Sequence, residues 1–308
     1  MTKKLIIIDA NSVIHRAFHA LPPLATKNGE KTNAVYGFLL VLFRAIKDFQ
    51  PDFIAAAFDL PKPTFRHLEF KEYKGKRPPT PEDLSNQIPK VKEVLRVFNI
   101  PVFEKEGYEA DDIIATLTDK SKEVAKIILT GDQDSLQLID DRTNIYFLRK
   151  GVKDTVLYDE KLVEEKYQGL KTPQIVDFKA LRGDPSDNIP GVRGIGEKTA
   201  IELLLAFGSL ESLYQEIEAG SKKAEKLSPR VKELLIKHKE DAFLSKKLTQ
   251  LKNDAPLDFD LGDCHWSGYD KEKAKKLLAS FEFFSLIPRL PGSTKEEKPK
   301  ENKKLTLF

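Results

Sequence analysis

The sequence predicts an α/β fold in which a central, mostly parallel sheet is flanked by helices and followed by a helical C-terminal subdomain. Short continuous apolar runs at 5–8, 53–58 and 127–129 are typical of strands that are buried on both faces. Segments with helical spacing of apolar residues alternate with these runs, as in a parallel sheet covered by helices. From 159 to 286 the pattern becomes mostly helical, with short connections marked by Gly and Pro.

Each element of the first half follows from its local sequence. The run at 5–8 is the first predicted strand and 53–58 the second. Between them, 33–49 has apolar residues at helical spacing, and Pro51 then ends the helix. The remaining predictions are helices at 81–98 and 109–120 and strands at 100–103, 127–129 and 145–148.

Length and composition place the chain among globular proteins. Its 308 residues suffice for one large or two modest domains, and we predict an α/β core at 1–158, a helical subdomain at 159–288 and a flexible polar tail at 289–308. The net charge of +3 does not by itself indicate a nucleic-acid partner, so local clusters have to carry that argument.

We expect a cytoplasmic protein without a membrane segment. The single cysteine, Cys264, excludes an internal disulfide and fits a reducing compartment. The first apolar run reaches Asp9 after four residues, which is too short for a signal sequence. No stretch approaches the roughly 18 apolar residues that a membrane helix needs.

The most informative feature is a set of carboxylates at or next to predicted strand ends and turns. They occur in five short contexts, LIIIDAN, AAAFD, YEADD, TGDQD and GDPSDN, and comprise Asp9, Asp59, Glu109, Asp111, Asp112, Asp132, Asp134, Asp184 and Asp187. Ligands of parallel sheets gather at the carboxyl ends of the strands, so we expect these segments to meet at one rim. So many like charges together are costly unless cations neutralise them.

The residue types indicate which cations. Oxygen ligands without a matching His or Cys set favour Mg²⁺ or Mn²⁺ over zinc, and a paired site for such ions is the chemistry of phosphodiester cleavage. Each acid taken alone has another interpretation, as a helix N-cap or as a first-turn residue that complements the helix dipole. Agreement among five segments favours the metal site.

Two further segments suit nucleic acid. Residues 62–77, KPTFRHLEFKEYKGKR, carry six Lys or Arg interleaved with Phe65, Phe70 and Tyr73, a combination that grips a single strand; the alternative is a solvated loop. Residues 189–200, IPGVRGIGEKTA, place Gly191, Gly194 and Gly196 before a helix start, which offers backbone N–H groups to a phosphate. A tight turn between helices would also explain these glycines.

A family resemblance covers nearly the whole chain. From residue 5 to about 288 the sequence resembles the 5′-nuclease domain of bacterial DNA polymerase I and its free-standing relatives in the flap-endonuclease superfamily. The motifs that carry it are DANSVIHRAFHALPPL, AVYGF, FDLPKPTFR, EYKGKRPPTPEDL, GYEADDIIATL, TGDQD and ALRGDPSDNIPGVRGIGEKTA.

The resemblance implies two divalent ions, Mg²⁺ or Mn²⁺. It assigns one ion to Asp9, Asp59, Glu109 and Asp111. It assigns the other to Asp132, Asp134 and Asp187. Asp112 and Asp184 are expected close by, as outer-shell ligands or ligands through water that orient the site rather than touch a metal ion. The residues expected to act in catalysis are Asp59, Asp111, Lys74 and Arg77.

The resemblance also implies the DNA contacts. Residues 61–80 would form an arch or clamp in which Lys74 and Arg77 contact the scissile phosphate and Tyr73 stacks near it, with Phe65 in the same surface. Arg16 and Arg66 would touch the 5′ strand. Residues 184–206 would form a helix–hairpin–helix that holds the duplex backbone through its glycines and Lys198, with K⁺ as a possible companion ion.

The function implied is a divalent-metal-dependent 5′→3′ exonuclease and 5′ flap endonuclease that acts in replication and repair. Its substrates would be DNA with a 5′ flap, nick or gap and RNA-primed 5′ ends, and we expect a monomer. A metal-dependent ribonuclease of the PIN type and a non-catalytic structure-recognition module remain as alternatives. At the C-terminus, Leu305, Leu307 and Phe308 resemble a short sliding-clamp motif, although Lys304 stands where such motifs usually begin with Gln.

Overall fold

The computed structural model of the protein describes residues 2–292 and contains one six-stranded sheet. The strand order is β3-β2-β1-β4-β5-β6, and all neighbouring pairs are parallel except β5 and β6. The carboxyl ends of β1, β2 and β4 therefore lie at the same edge. The strands are β1 (Lys4–Asp9), β2 (Phe53–Ala57), β3 (Val102–Phe103), β4 (Ala125–Thr130), β5 (Thr143–Lys150) and β6 (Asp154–Tyr158).

Helices cover both faces of the sheet and continue beyond it. Those of the first half are α1 (Ala10–Ala20), α2 (Asn33–Phe49), α3 (Phe65–Glu69), α4 (Glu82–Ser85), α5 (Ile88–Val97) and α6 (Ala110–Asp119). Those of the second half are α7 (Glu160–Lys166), α8 (Ile175–Arg182), α9 (Glu197–Phe207), α10 (Leu210–Glu218), α11 (Pro229–Lys237), α12 (Lys239–Thr249) and α13 (Lys271–Ser280).

The core has two parts because successive side chains of a strand point to opposite faces. On one face Leu5 and Ile7 pack with α6 and with residues of α8 to α12, Leu204 among them. On the other face Ile6 and Ile8 pack with α1, α2, α5 and α13. The helices of the second half thus share a continuous core with the sheet, which holds them beside its carboxyl edge.

Most predicted elements are confirmed, and α2 has the predicted bounds. The single helix predicted at 81–98 is wrong, because α4 and α5 are separated at Asn86 and Gln87. Pro89 has no N–H to donate to the carbonyl of Ser85, so the helical hydrogen bonds cannot run through this point. The side chain of Gln87 accepts from the amide of Ala34 at 2.8 Å instead, which ties the break to α2.

Three elements, α1, α3 and β6, were absent from the sequence prediction. Strand β6 runs antiparallel to β5 at the edge of the sheet and is largely half-buried, so it lacks the apolar run that marks a central strand. In the part of the chain that the structure describes, no helix is long and apolar enough to cross a membrane. The predicted clamp motif at Leu305, Leu307 and Phe308 lies outside the described residues and stays a prediction.

Candidate metal and nucleic-acid site

A cavity of about 360 Å³ opens at the carboxyl edge of the sheet, where β1, β2 and β4 end. Four of the nine predicted acids and three of the predicted DNA-contacting cations meet there. The charged and polar side chains that line it are Asp9, Asn11, Ser12, His15, Arg16, His19, Asp59, Lys74, Arg77, Asp111 and Asp132. The rim predicted from the strand ends is therefore present as a single pocket.

Local hydrogen bonds position three of these four carboxylates closely, whereas the hydrogen bond that Asp111 accepts from the hydroxyl of Ser135 is long, at 3.4 Å. Asp9 caps α1 by accepting from the amide of Ser12 at 3.1 Å, and its second oxygen accepts from the hydroxyl of Thr130 at 2.5 Å. Asp59 accepts from the amide of Ala110 at 2.8 Å, which ties the end of β2 to the first turn of α6. Asp132 accepts from the amide of Asp134 at 2.9 Å. The helix-cap interpretation is thus correct for Asp9, but capping does not exclude a second role.

All four carboxylates carry a raised pKa. Burial raises the pKa of Asp9 to about 7, and the charges of Asp59 and Asp132 add to the shift. Burial and the charges of Asp132 and Asp9 raise the pKa of Asp111. Desolvation raises the pKa of Asp132 against the opposing charge of Lys179. Desolvation of the carboxyl group of Asp59, together with the charge of Glu109, raises the pKa of Asp59. These acids form a cluster short of positive charge, which a divalent cation would relieve.

Glu109 and Asp187, by contrast, are neutralised by the segment at 61–80. The ammonium of Lys74 donates to Glu109 at 2.8 Å and lies 3.9 Å from Asp187. The guanidinium of Arg77 donates to Asp187. The hydroxyl of Tyr73 donates to Glu109 at 3.0 Å and to Asp187 at 3.1 Å. The basic segment is therefore fastened to the acidic rim by direct ion pairs.

Asp134 and Asp184 share one lysine. The ammonium of Lys179, which comes from α8, donates to Asp184 at 2.8 Å and pairs with Asp134. Burial would raise the pKa of Asp184, but Lys179 and the hydrogen bonds from Ser186 outweigh it and hold the pKa at about 2. Asp184 thus remains ionised, and both carboxylates already have a cationic partner.

The donor set fits a hard divalent cation because it consists of carboxylate oxygens. Within residues 2–292, however, no three Asp, Glu, His or Cys side chains approach closely enough to hold an ion in the conformations seen. Lys74, Arg77 and Lys179 lie against four of the nine acids and take up oxygens that an ion would need. A full ligand set therefore requires small side-chain movements at this rim.

The structure contradicts the predicted role of Arg66 and excludes Asp112 as a direct metal ligand in this conformation, and one interaction accounts for both. Arg66, predicted to touch the 5′ strand, is 1% exposed and makes two hydrogen bonds to Asp112, at 2.6 and 2.8 Å. Asp112 was predicted to be near a metal ion. Its carboxylate oxygens accept hydrogen bonds from Arg66 and from the amides of Glu109 and Lys252. Arg66 and Asp112 form a buried ion pair that supports the site and does not line the cavity.

The predicted aromatic contacts are also corrected. Tyr73 is 3% exposed and its ring packs edge-on against His67, so it offers no open face to a base. Phe65 is half-buried, and the ammonium of Lys252 lies 4.3 Å from its ring centre. The sequence indicated correctly that aromatic residues accompany the cations, but here they anchor the segment.

Arg16 braces the cavity wall. It reaches from α1 to the carbonyls of Arg149 and Gly131, at 3.1 Å each. Sequence reasoning missed Lys179 and the cavity positions of His15 and His19. The spacing of the two histidines, four residues apart on α1, was the available signal for them.

The glycine segment forms a hairpin between α8 and α9. Gly191 has φ +64°, and a Cβ there would lie 2.3 Å from the backbone nitrogen of Gly183, so the close approach requires glycine. Its own N–H donates to Ser245, which corrects its prediction as a phosphate donor. Gly194 and Gly196 are exposed, as is Lys198 in the first turn of α9. The tight-turn interpretation is confirmed, and the exposed helix start remains open to a ligand.

Comparison with known proteins places the chain in the class of 5′ nucleases. Residues 4–168 match the family described as 5′-3′ exonuclease, N-terminal resolvase-like domain, and residues 170–272 match 5′-3′ exonuclease, C-terminal SAM fold. The chain belongs to the 5′–3′ exonuclease family. DNA polymerase I of Bacillus caldotenax is 44% identical over the whole chain, and that of Bacillus subtilis is 43% identical over 96% of it. The chain spans about a third of the length of these relatives.

Solved structures agree on the fold. The T5 5′-exonuclease with divalent metal ions (zinc) bound matches with a TM-score of 0.66 at 21% identity, over 80% of this chain and 89% of its own. The bacteriophage T5 flap endonuclease in a complex with DNA and metal ions matches at 0.67 and 20% identity, over 91% and 100%. The catalytic core of Rad2 with DNA substrate matches at 0.62 and 18% identity, over 94% and 93%.

Proposed function

We propose that the protein is a divalent-metal-dependent 5′→3′ exonuclease and structure-specific 5′ flap endonuclease that acts on DNA and RNA-primed 5′ ends in replication and repair. The observation that carries the proposal is the cavity in which Asp9, Asp59, Asp111 and Asp132 face Lys74 and Arg77. The four carboxylates carry more negative charge than their neighbours neutralise, which suits metal ions, and the two cations suit a phosphate group. Together they match a phosphodiester substrate that is cleaved with metal ions.

We propose Mg²⁺ or Mn²⁺, two ions in all, as the cofactor. Asp9, Asp59, Asp111 and Asp132 would hold the first ion, with Asp132 in place of the Glu109 expected from the resemblance, because Glu109 pairs with Lys74. Asp134, Asp184 and Asp187 would serve the second ion. When bound, such ions activate water at neutral pH and neutralise charge on the phosphate. The occurrence of divalent metal ions in the T5 5′-exonuclease structure supports this proposal.

Lys74 and Arg77 would orient the scissile phosphate and stabilise the charge that develops on it. Lys74 stays protonated because, although burial would lower its pKa, the charges of Glu109 and Asp187 raise it. Arg77 is exposed at the cavity edge, and the guanidinium donors that Asp187 and the carbonyl of Ser186 do not use are available to phosphate oxygens. Both residues are therefore permanent cations at the point of cleavage.

We predict that Lys74→Ala slows single-turnover cleavage of a 5′ flap by about 10²-fold or more, the loss expected for one charge-stabilising donor. Affinity for the flap, measured in Ca²⁺ by fluorescence anisotropy, should change much less. Lys76→Ala is the matched control, because Lys76 is exposed in the same turn and lies outside the cavity lining. A loss of affinity with an unchanged cleavage rate would contradict the role.

The hairpin between α8 and α9 would hold the duplex away from the cut. The exposed start of α9 offers backbone N–H groups and Lys198 to one phosphate, with K⁺ as a possible companion. Such contacts position the duplex and carry no sequence information, so specificity would lie in DNA shape.

The deciding experiment is cleavage of a 5′-labelled flap duplex with Mg²⁺ and with EDTA. The proposal expects Mg²⁺-dependent products from the 5′ strand at the junction. Binding without cleavage under either condition would favour a structure-recognition module. Cleavage of single-stranded RNA in preference to the flap would favour the PIN-type alternative.

The free energy of unfolding of the metal-free protein should depend on pH because the pKa of Asp9 is raised. Because its folded pKa is about 7 against an ordinary value of 3.8, its contribution to stability is fully present below about 3.8 and is lost as pH rises through about 7. Asp9→Asn should therefore raise the free energy of unfolding above neutral pH, by on the order of 2 kcal/mol after allowance for its titrating neighbours. Thermal melts in EDTA measure this.

Adding Mg²⁺ should reverse the order, since it should stabilise the wild type and leave Asp9→Asn nearly unchanged. Asp159→Asn is the matched control, because Asp159 caps α7 by accepting from the amide of Leu162 at 2.8 Å, outside the cavity lining. Equal Mg²⁺ stabilisation of the wild type and Asp9→Asn would refute the metal assignment of Asp9.

A further inference from the structure

A buried lysine reaches the acidic rim from the helices of the second half. Lys179 lies on α8 and is 7% exposed. Its ammonium donates to Asp184, five residues along the chain, at 2.8 Å, and pairs with Asp134, which begins a 3-10 helix after β4. Lys179 therefore joins two segments that converge on the rim separately.

The surroundings of Lys179 leave its ammonium little freedom. One oxygen of Asp184 accepts from the amide and hydroxyl of Ser186, at 2.9 and 2.5 Å, so that its other oxygen is presented to the lysine. Asp134 is held by its amide, which donates to Asp132 at 2.9 Å. The carboxylate of Asp184 and the backbone of Asp134 are thus fixed by other contacts, and the ammonium of Lys179 lies between the two carboxylates.

Lys179 divides the acids of the rim by charge. Asp9, Asp59, Asp111 and Asp132 face the open cavity, whereas Asp134 and Asp184 already share a positive charge. A divalent ion at the first group meets a surplus of negative charge. A divalent ion at the second group meets an ammonium in the same place, and like charges at such short range repel strongly in a buried site.

We propose that Lys179 is an internal cation that stands in for the second divalent ion. The protein then binds one ion tightly in the cavity, and a second ion binds only by displacing the ammonium from Asp134 and Asp184. This inference rests on the proposed metal-dependent function, and it adds which ion is weak and which residue makes it so.

The test counts Mn²⁺ ions on the DNA-free protein at neutral pH by isothermal titration calorimetry and by electron paramagnetic resonance. The wild type should bind one ion tightly and a second at least about tenfold more weakly. Lys179→Met removes the charge and keeps much of the side-chain volume, and it should tighten the second site by about tenfold or more. Lys179→Arg keeps the charge and should leave the second site weak.

Lys246 supplies the matched control. It lies on α12 and bridges two carboxylates, Asp177 and Glu211, at 2.7 Å each, and none of the three lines the cavity. Lys246→Met therefore also leaves an acidic pair without its lysine. It should gain no ion, because Asp177 and Glu211 lie outside the acidic rim, whereas Asp134 is hydrogen-bonded through its amide to Asp132 of the cavity.

Each outcome decides between the proposals. Two equally tight ions on the wild type, or no tightening in Lys179→Met, would overturn the role of Lys179 and leave the proposed function standing. An equal gain in Lys246→Met would overturn it too, because any bared acidic pair would then suffice. No ion on the wild type at all would overturn the metal-dependent function itself.

A folding check accompanies the titration. Circular dichroism and thermal melts of Lys179→Met in Mg²⁺ establish that the variant is folded. The double variant Lys179→Met, Asp184→Asn leaves a single negative charge and should lose the tightened site. If the double variant retained it, the ion gained by Lys179→Met would not be bound by this pair, which would count against the proposal.

Discussion

Asp111→Asn is expected to slow cleavage of a 5′-flap substrate by at least about 10³-fold while it leaves DNA affinity nearly unchanged. Asp111 lies in the first turn of α6 and faces the cavity, where the charges of Asp132 and Asp9 are close enough to raise its pKa. A bound cation stabilises the ionised form of such a carboxylate, and the carboxylate in turn supplies part of the negative charge that holds the cation. The amide keeps the shape of the side chain but removes that charge.

DNA affinity should persist because it depends on other residues. The exposed cations of the basic segment and the start of α9 are left intact by the change. Single-turnover rates in Mg²⁺ and anisotropy in Ca²⁺ separate the two quantities. Asp59→Asn should behave in the same way, since Asp59 lines the same cavity from the end of β2.

Asp119→Asn is the control for Asp111→Asn. Asp119 ends the same helix, and its carboxylate pairs with Lys122 at 2.8 Å on the surface. Its replacement should leave the cleavage rate within about twofold, as expected for a surface ion pair. Undiminished cleavage by Asp111→Asn in Mg²⁺ would contradict its assignment to the metal ion.

The second large effect concerns stability. Arg66→Met is expected to lower the free energy of unfolding by about 3–5 kcal/mol, because it leaves the carboxylate of Asp112 buried without its cation. The guanidinium also donates to the carbonyls of Leu248, at 2.8 Å, and Gln250, at 3.2 Å. The change thus releases the contacts that tie the basic segment to the end of α12. Urea denaturation measures the loss.

Two further variants test the cause. Combining Arg66→Met with Asp112→Leu removes both charges and should recover a large part of the loss, since a buried ion pair is often no better than apolar residues of similar volume. Arg96→Met, which breaks a mostly exposed contact to Glu93 at 3.9 Å, should cost less than about 1 kcal/mol. A comparably small loss in Arg66→Met would mean that Asp112 is not held by its charge.

The behaviour of Arg66 and Lys74 illustrates where sequence reasoning reached its limit. Both are cations of one basic, aromatic segment, and the sequence predicted the same kind of role for both. The fold turns Arg66 inward to Asp112 and brings Lys74 to the cavity. The partners of Arg66 lie as far as 184 positions along the chain, at a distance that no local pattern reports.

The acids show the same division. That five segments end at one rim could be predicted, because buried apolar runs define parallel strands and parallel strands end on the same side. Which of these acids would be neutralised by a lysine or an arginine could not be predicted. Lys179 is one of many lysines in the helical half, and its importance follows from its position between Asp134 and Asp184 in space.

The sequence by itself determined the order of the buried strands and of most helices, the edge at which carboxylates gather, and the hairpin that needs Gly191. These depend on periodicity, on chain direction and on backbone conformation, all of which act over a few residues. Only the tertiary structure decided which acids stay short of charge and which are paired with Arg66, Lys74, Arg77 or Lys179. Pairing of charges depends on burial and on distances across the fold, so it emerges only when distant segments are packed together.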